Sequence, residues 1–184
     1  MKPLVLILFL MLSGVAVAAQ SVCVVESKTA PALHNLRLEM SPAEAQRALG
    51  GELKIKIKNN GERTFFQNFI ENRPPRSLSG VRALYLRFFN RKLYQIEIFY
   101  ENRNDWQTLE DFTRYLSQSF NTPAASWQFE KGRAEIKCAE VSLVADKVLN
   151  PRIEITDETV RAQIEMLRGK MENGKWKTDN KRIF

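Results

Sequence analysis

Cysteine, histidine and glycine are scarce in this sequence, with two, one and eight respectively among 184 residues. A lone histidine and two cysteines give no histidine pair or cysteine cluster for zinc, and no Asp-x-Asp-x-Asp-Gly loop is present for calcium. Gly-x-Ser-x-Gly, Walker and dinucleotide-binding glycine patterns are missing too, so nothing points to a motif-borne hydrolase, NTPase or dehydrogenase, and no cofactor is implied. The absence of Cys-x-x-Cys sets aside a thioredoxin-like redox role. Beyond the N-terminal segment no apolar run approaches the ~20 residues that a membrane-spanning helix needs.

What is present begins with a charged Lys2, an unbroken apolar run from Leu4 to Leu12, and small residues from Ser13 to Ala19. That is the three-part pattern of a secretory signal peptide. Cleavage is expected after Ala19, with Val17 and Ala19 at the two positions a signal peptidase reads, or alternatively after Ala18. Gln20, Ser21 and Val22 do not supply the residues that precede a lipid-modified cysteine, so Cys23 is not read as an anchor. The expected organisation is a signal peptide at 1–19, one α+β domain at 20–174 and a basic tail at 175–184, located in the periplasm or secreted. In an oxidising compartment Cys23 and Cys138 are expected to pair, two separate buried thiols being the alternative. The bridge would close a loop of over a hundred residues, worth up to ~5 kcal/mol in the chain-entropy model.

Along the chain, Ser41-Pro42-Ala43-Glu44 is a helix start in which Ser41 caps, Pro42 takes the first turn and Glu44 reaches back to the cap. The helix ends at Gly50-Gly51. From Glu52 to Lys58, Leu53, Ile55 and Ile57 alternate with Lys54, Lys56 and Lys58, the period of a half-buried strand. Residues 64–72 are apolar but ambiguous in period. Val81–Phe89 and Leu93–Tyr100 form a hairpin about Asn90-Arg91-Lys92. A second helix starts at Thr108 and Asp111 and keeps Leu109, Phe112, Leu116 and Phe120 on one face. Ala134–Val144 and Arg152–Thr156 read as two more strands, and a last helix from Asp157 carries Val160, Ile164, Leu167 and Met171 inward, fraying after Asn173-Gly174. The expected fold is α+β, an antiparallel sheet of about five to six strands with two to three helices on one face. A capped helix followed by a hairpin occurs twice, a hint of duplication without shared residues.

The segment Leu36-Arg37-Leu38-Glu39-Met40-Ser41-Pro42-Ala43-Glu44-Ala45-Gln46-Arg47-Ala48-Leu49-Gly50 resembles the opening of the BamE (SmpA/OmlA) family of small envelope proteins, where a Met-Ser/Thr pair caps a short helix ending in Leu-Gly. The family usually has Gly where this chain has Glu39, and its lipidated cysteine is missing. The resemblance implies a small module that binds another envelope protein or assists assembly. The chain also looks like exported bacterial proteins in which an aromatic hairpin, here Phe88-Phe89-Asn90-Arg91-Lys92-Leu93-Tyr94, precedes a tryptophan at a helix start, here Trp106; that likeness implies no activity.

The charge is unevenly spread. Between Lys54 and Lys92 there are ten basic residues against two acidic ones, Glu62 and Glu71, an excess larger than the formal +7 of the whole chain. Lys54, Lys56, Lys58, Arg73 and Arg76 are therefore the candidate binding residues, interleaved with Phe65, Phe66, Phe69 and Tyr85. Such a surface attracts anionic lipid or polymer, or an acidic envelope protein. Nucleic acid fits chemically, but export argues against it. The competing reading is an ordinary solvated strand face whose aromatics belong to the core. His34 reads as a loop or capping residue rather than a general base, and Glu110 and Asp111 sit where a helix dipole favours negative charge. No metal or catalytic residue is assigned. The expected function is a non-catalytic exported interaction domain; the alternative is a hydrolase-type enzyme whose groups converge only in the fold.

Overall fold

The computed structural model describes residues 26–50, 54–58, 61–70 and 74–179, with side chains to residue 170. The signal peptide, Cys23, Leu53 and Arg73 lie outside the described residues. Helix α1 (Pro42–Leu49) leads into strands β1 (Lys56–Ile57), β2 (Arg63–Asn68), β3 (Val81–Phe89) and β4 (Lys92–Tyr100). Helix α2 (Leu109–Phe120) then leads into β5 (Gln128–Glu130), β6 (Arg133–Lys137), β7 (Val141–Asp146) and β8 (Arg152–Asp157), and α3 (Glu158–Asp179) closes the chain. All eight strands make one antiparallel sheet in the order β1-β2-β3-β4-β8-β7-β6-β5. The order reads the same from either edge, a capped helix and a four-stranded meander occurring twice and joined through their last strands.

Local chemistry sets the elements. Both caps form complete capping boxes, Ser41 with Glu44 and Thr108 with Asp111, and both helices stop at a left-handed residue, Gly50 and Asn121. The β3–β4 turn places Asn90 and Arg91 at φ 47° and 63°, the backbone that a tight two-residue hairpin requires.

The ladder registers sort side chains onto two faces. On one face Phe65, Leu86, Ile96, Ile155, Leu143 and Ile136 lie opposite one another from β2 to β6. Ala45 and Leu49 of α1 and Phe112, Leu116 and Phe120 of α2 join this core, so both helices cover that face. On the other face run Thr64, Arg87, Gln95, Thr156, Ser142 and Lys137, and beside them Phe66, Tyr85, Glu97, Glu154, Val144 and Glu135.

Helix α3 belongs to this second, polar face. Ile164 is buried but is no part of the apolar core. Glu158 accepts a hydrogen bond from Ser142, and Arg168 reaches Glu62 at 3.1 Å beside the start of β2. The ten rises from Glu158 to Arg168 make about 15 Å of helix. Three strand spacings, β8 to β4 to β3 to β2, come to about 14 Å, so α3 runs across the strands.

Several expectations are corrected. The sheet has eight strands, not five to six, because Ala134–Val144 divides into β6 and β7 at an unmarked turn and β5 is an unheralded short strand. The helices occupy both faces, since a sheet this wide leaves polar ladder residues that α3 also covers. The first lysine-rich strand shrinks to Lys56–Ile57 at the sheet edge, and Ile57, expected inward, is 70% exposed. The helix expected to end near Gly174 continues to Asp179, a single glycine costing a helix only about 1 kcal/mol.

Candidate functional site

The basic residues of the first half gather on the polar face at its β1 edge. Lys56 lies opposite Thr64, and Thr64 opposite Arg87, so all three share that face. Two residues along β2 from Thr64, Phe66 lies on the same face opposite Tyr85, and exposed Lys54 precedes β1 by two residues. Phe66 is 59% exposed and meets Tyr85 edge-on with ring centroids 6.2 Å apart, while the Arg87 guanidinium lies 4.8 Å from the Tyr85 ring centre. Lysine ends, an exposed phenyl ring and a ring-stacked guanidinium therefore form one strip.

Beneath the strip sits Glu62, fully buried. Its carboxylate accepts from the Tyr94 hydroxyl at 2.6 Å, from Lys58 Nζ at 3.2 Å and from Arg168 at 3.1 Å. Burial, then the Glu62 carboxylate, pushes the Tyr94 pKa well up, so the phenol stays protonated and donates. Burial alone would lower the Arg87 pKa, but Tyr85, Tyr94 and Glu62 outweigh it and the guanidinium stays charged. Its Nε is buried with no hydrogen-bond partner.

Of the residues singled out from sequence, Lys54, Lys56 and Lys58 are exposed along the β1 edge, Lys58 as one arm of the Glu62 cluster. Arg76 is exposed on a 3-10 turn, Arg76–Leu78, whose Ser77 carbonyl receives His34 on the side of the apolar core. It is not built into the strip. Sequence reasoning missed Arg87, Tyr94 and Arg168. Arg87 could have been found from its alternation on β3 with Tyr85, already named among the aromatics, whereas Arg168 comes from the far end of the chain.

Two other clusters are structural ion pairs or aromatic packing. Arg152 bridges Asp146 at 2.5 Å, Glu97 at 2.7 Å and Glu154 at 3.8 Å on the polar face. His34 pins its loop to the core through Nδ1 to the Ser77 carbonyl at 2.7 Å and Nε2 to the Tyr100 hydroxyl at 3.2 Å. The carbonyl can only accept, so Nδ1 carries the proton and Nε2 accepts from Tyr100. Burial lowers the His34 pKa, which keeps the ring neutral. Two adjoining surface depressions of about 260 and 470 Å³ share Arg114 and Gln118 on the outer side of α2. In the first, Arg103 pairs with Asp105 and Arg114 with Asp111. Among the described residues no group of His, Cys, Asp and Glu could hold a metal ion, and no helix is long and apolar enough to cross a membrane.

No protein family, curated protein or solved structure matches this chain.

Proposed function

We propose that the protein is an exported, non-catalytic interaction module that binds an anionic partner of the cell envelope. The observation that carries this reading is the strip of Lys56, Phe66, Tyr85 and Arg87 that runs from the β1 edge onto the polar face, with exposed Lys54 just before β1. Arg87 is held by ring contact and by Tyr94, so part of the strip is already ordered before a partner arrives. The experiment is retention on an immobilised acidic polymer. Lys54→Glu with Lys56→Glu is expected to lower retention severalfold at low salt, with little difference at high salt, while Arg76→Glu changes it much less. Equal retention of the double variant and the wild type would overturn the strip.

The resemblance to the BamE family gains support at the one backbone position where the sequence departs from it. Glu39 takes φ 66°, the left-handed region that favours glycine, the residue the family has there. Binding of an envelope protein, or help in assembly, which the resemblance implies, belongs to the same proposal.

Export and the Cys23–Cys138 bridge are part of this reading. Ser27 Oγ donates to Asp157 Oδ2 at 2.5 Å, Asp157 lies opposite Val141, and the Val141 carbonyl accepts the Cys138 N–H at 2.9 Å. No cysteine among the described residues is free. Alkylation of the unreduced, denatured protein should label no thiol; two labelled thiols would refute the bridge.

A further inference from the structure

The β7–β8 connection carries the two most exposed large apolar side chains among the described residues, Val148 at 80% and Leu149 at 84%. They are not on a loose loop. The Tyr100 N–H donates to the Pro151 carbonyl at 2.8 Å, Asn102 Nδ2 to the Leu149 carbonyl at 3.2 Å, and Arg82 to Asn150 Oδ1 at 3.1 Å. Two bonds, from the end of β4 and the segment after it, hold the tip backbone and one from β3 holds the Asn150 side chain, while Val148 and Leu149 are left in water. Ile70, 60% exposed, stands beside this end of the sheet, because the Phe69 N–H donates to the Arg82 carbonyl.

Charges surround the tip. Arg82 and Lys147 flank it, and among the described residues neither takes part in an ion pair. Arg103 is matched by Asp105 at 3.3 Å, and Glu101, next to Tyr100 in the chain, is a single acidic neighbour. The excess is positive. Two or three apolar side chains are far too few for the ~800 Å² that each side of a stable protein interface buries. They suit a lipid surface, where apolar tips enter the acyl boundary while basic groups stay at the level of the phosphates.

We propose that the Val148–Leu149 tip is a membrane-docking element that inserts into the surface of a bilayer containing anionic phospholipid. The tip lies outside the basic strip and is tested separately from it. Co-sedimentation of the purified protein with vesicles of phosphatidylglycerol and phosphatidylcholine (roughly 3:7) is expected to show partitioning that Val148→Ser with Leu149→Ser lowers at least about tenfold. Both positions are exposed, so the circular dichroism spectrum should not change. In a second variant, Leu149→Trp, the added fluorescence should shift to the blue on vesicle binding and be quenched by brominated acyl chains. Partitioning of the double serine variant within about twofold of the wild type would overturn the proposal. So would an unquenched tryptophan or a wild-type protein that ignores the vesicles; in the last case, retention on acidic polymer would leave the strip standing.

Discussion

His34 is the loop residue the sequence suggests, but what it does there could not be read from its neighbours. Its neighbours in the chain suggest an ordinary loop residue, yet it joins the loop before α1 to the Ser77 turn and to Tyr100, 66 residues away. Because burial lowers its pKa, the folded protein holds the ring neutral where the unfolded chain would already bind a proton. Stability from this site is therefore complete above the unfolded value of about 6.5 and is lost as the pH falls below it toward the folded value. The capping carboxylates Glu44 and Asp111, lowered by hydrogen bonds from Ser41 and Thr108, act in a more acid range, below about 4.5. Urea unfolding between pH 7.5 and pH 5 should thus show a loss of stability in the wild type that is smaller in His34→Gln. Equal slopes would mean that His34 is protonated in the folded state.

At the scale of elements, α3 has the most to say about the polar face. Its contacts include buried Ile164, the Glu158–Ser142 hydrogen bond, the Glu158 N–H to the Glu140 carbonyl and the Arg168–Glu62 pair, with Met166 and Leu167 left in water. A helix held by so few apolar contacts depends on each of them. Ile164→Ala should cost about 2–5 kcal/mol in chemical denaturation, the range for emptying a buried aliphatic site. A cost below about 0.5 kcal/mol would show that the helix packs otherwise.

The elements themselves were unevenly legible. Both capping boxes and the β3–β4 hairpin can be read directly, because Ser41 with Glu44, Thr108 with Asp111, and Asn90 at the turn act over three or four residues. The turn between β6 and β7 passes through Lys137-Cys138-Ala139-Glu140, which contains neither glycine nor proline, so nothing local marks it. Which face a helix covers is also not local. The apolar stripe of α3 is visible in the sequence, but its polar-face partners Ser142 and Glu62 are fixed only once eight strands are in register.

For the whole molecule, charge and topology act together. The palindromic strand order sets the two meanders side by side and leaves β1 and β5 as edges. Basic residues concentrated in the first meander consequently appear at one edge, while carboxylates of the second, Asp146 and Glu154, are matched by Arg152 near the centre. The sequence shows the excess of basic residues between Lys54 and Lys92, but not which of them work together. Lys56 shares its face with Arg87 and Lys54 lies just before it, Lys58 is drawn to Glu62, and Arg76 stands exposed on a separate turn. That sorting depends on a pairing register and on one buried carboxylate, neither of which a count of charges contains.

The central claim is that the strip binds an anionic envelope partner. Affinity capture from the envelope at low and high salt, with the wild type beside Lys54→Glu and Lys56→Glu, tests it most directly. The account predicts a component recovered by the wild type at low salt, released at high salt and missing from the double variant at both. Recovery of the same component by the variant, or a capture indifferent to salt, would contradict it.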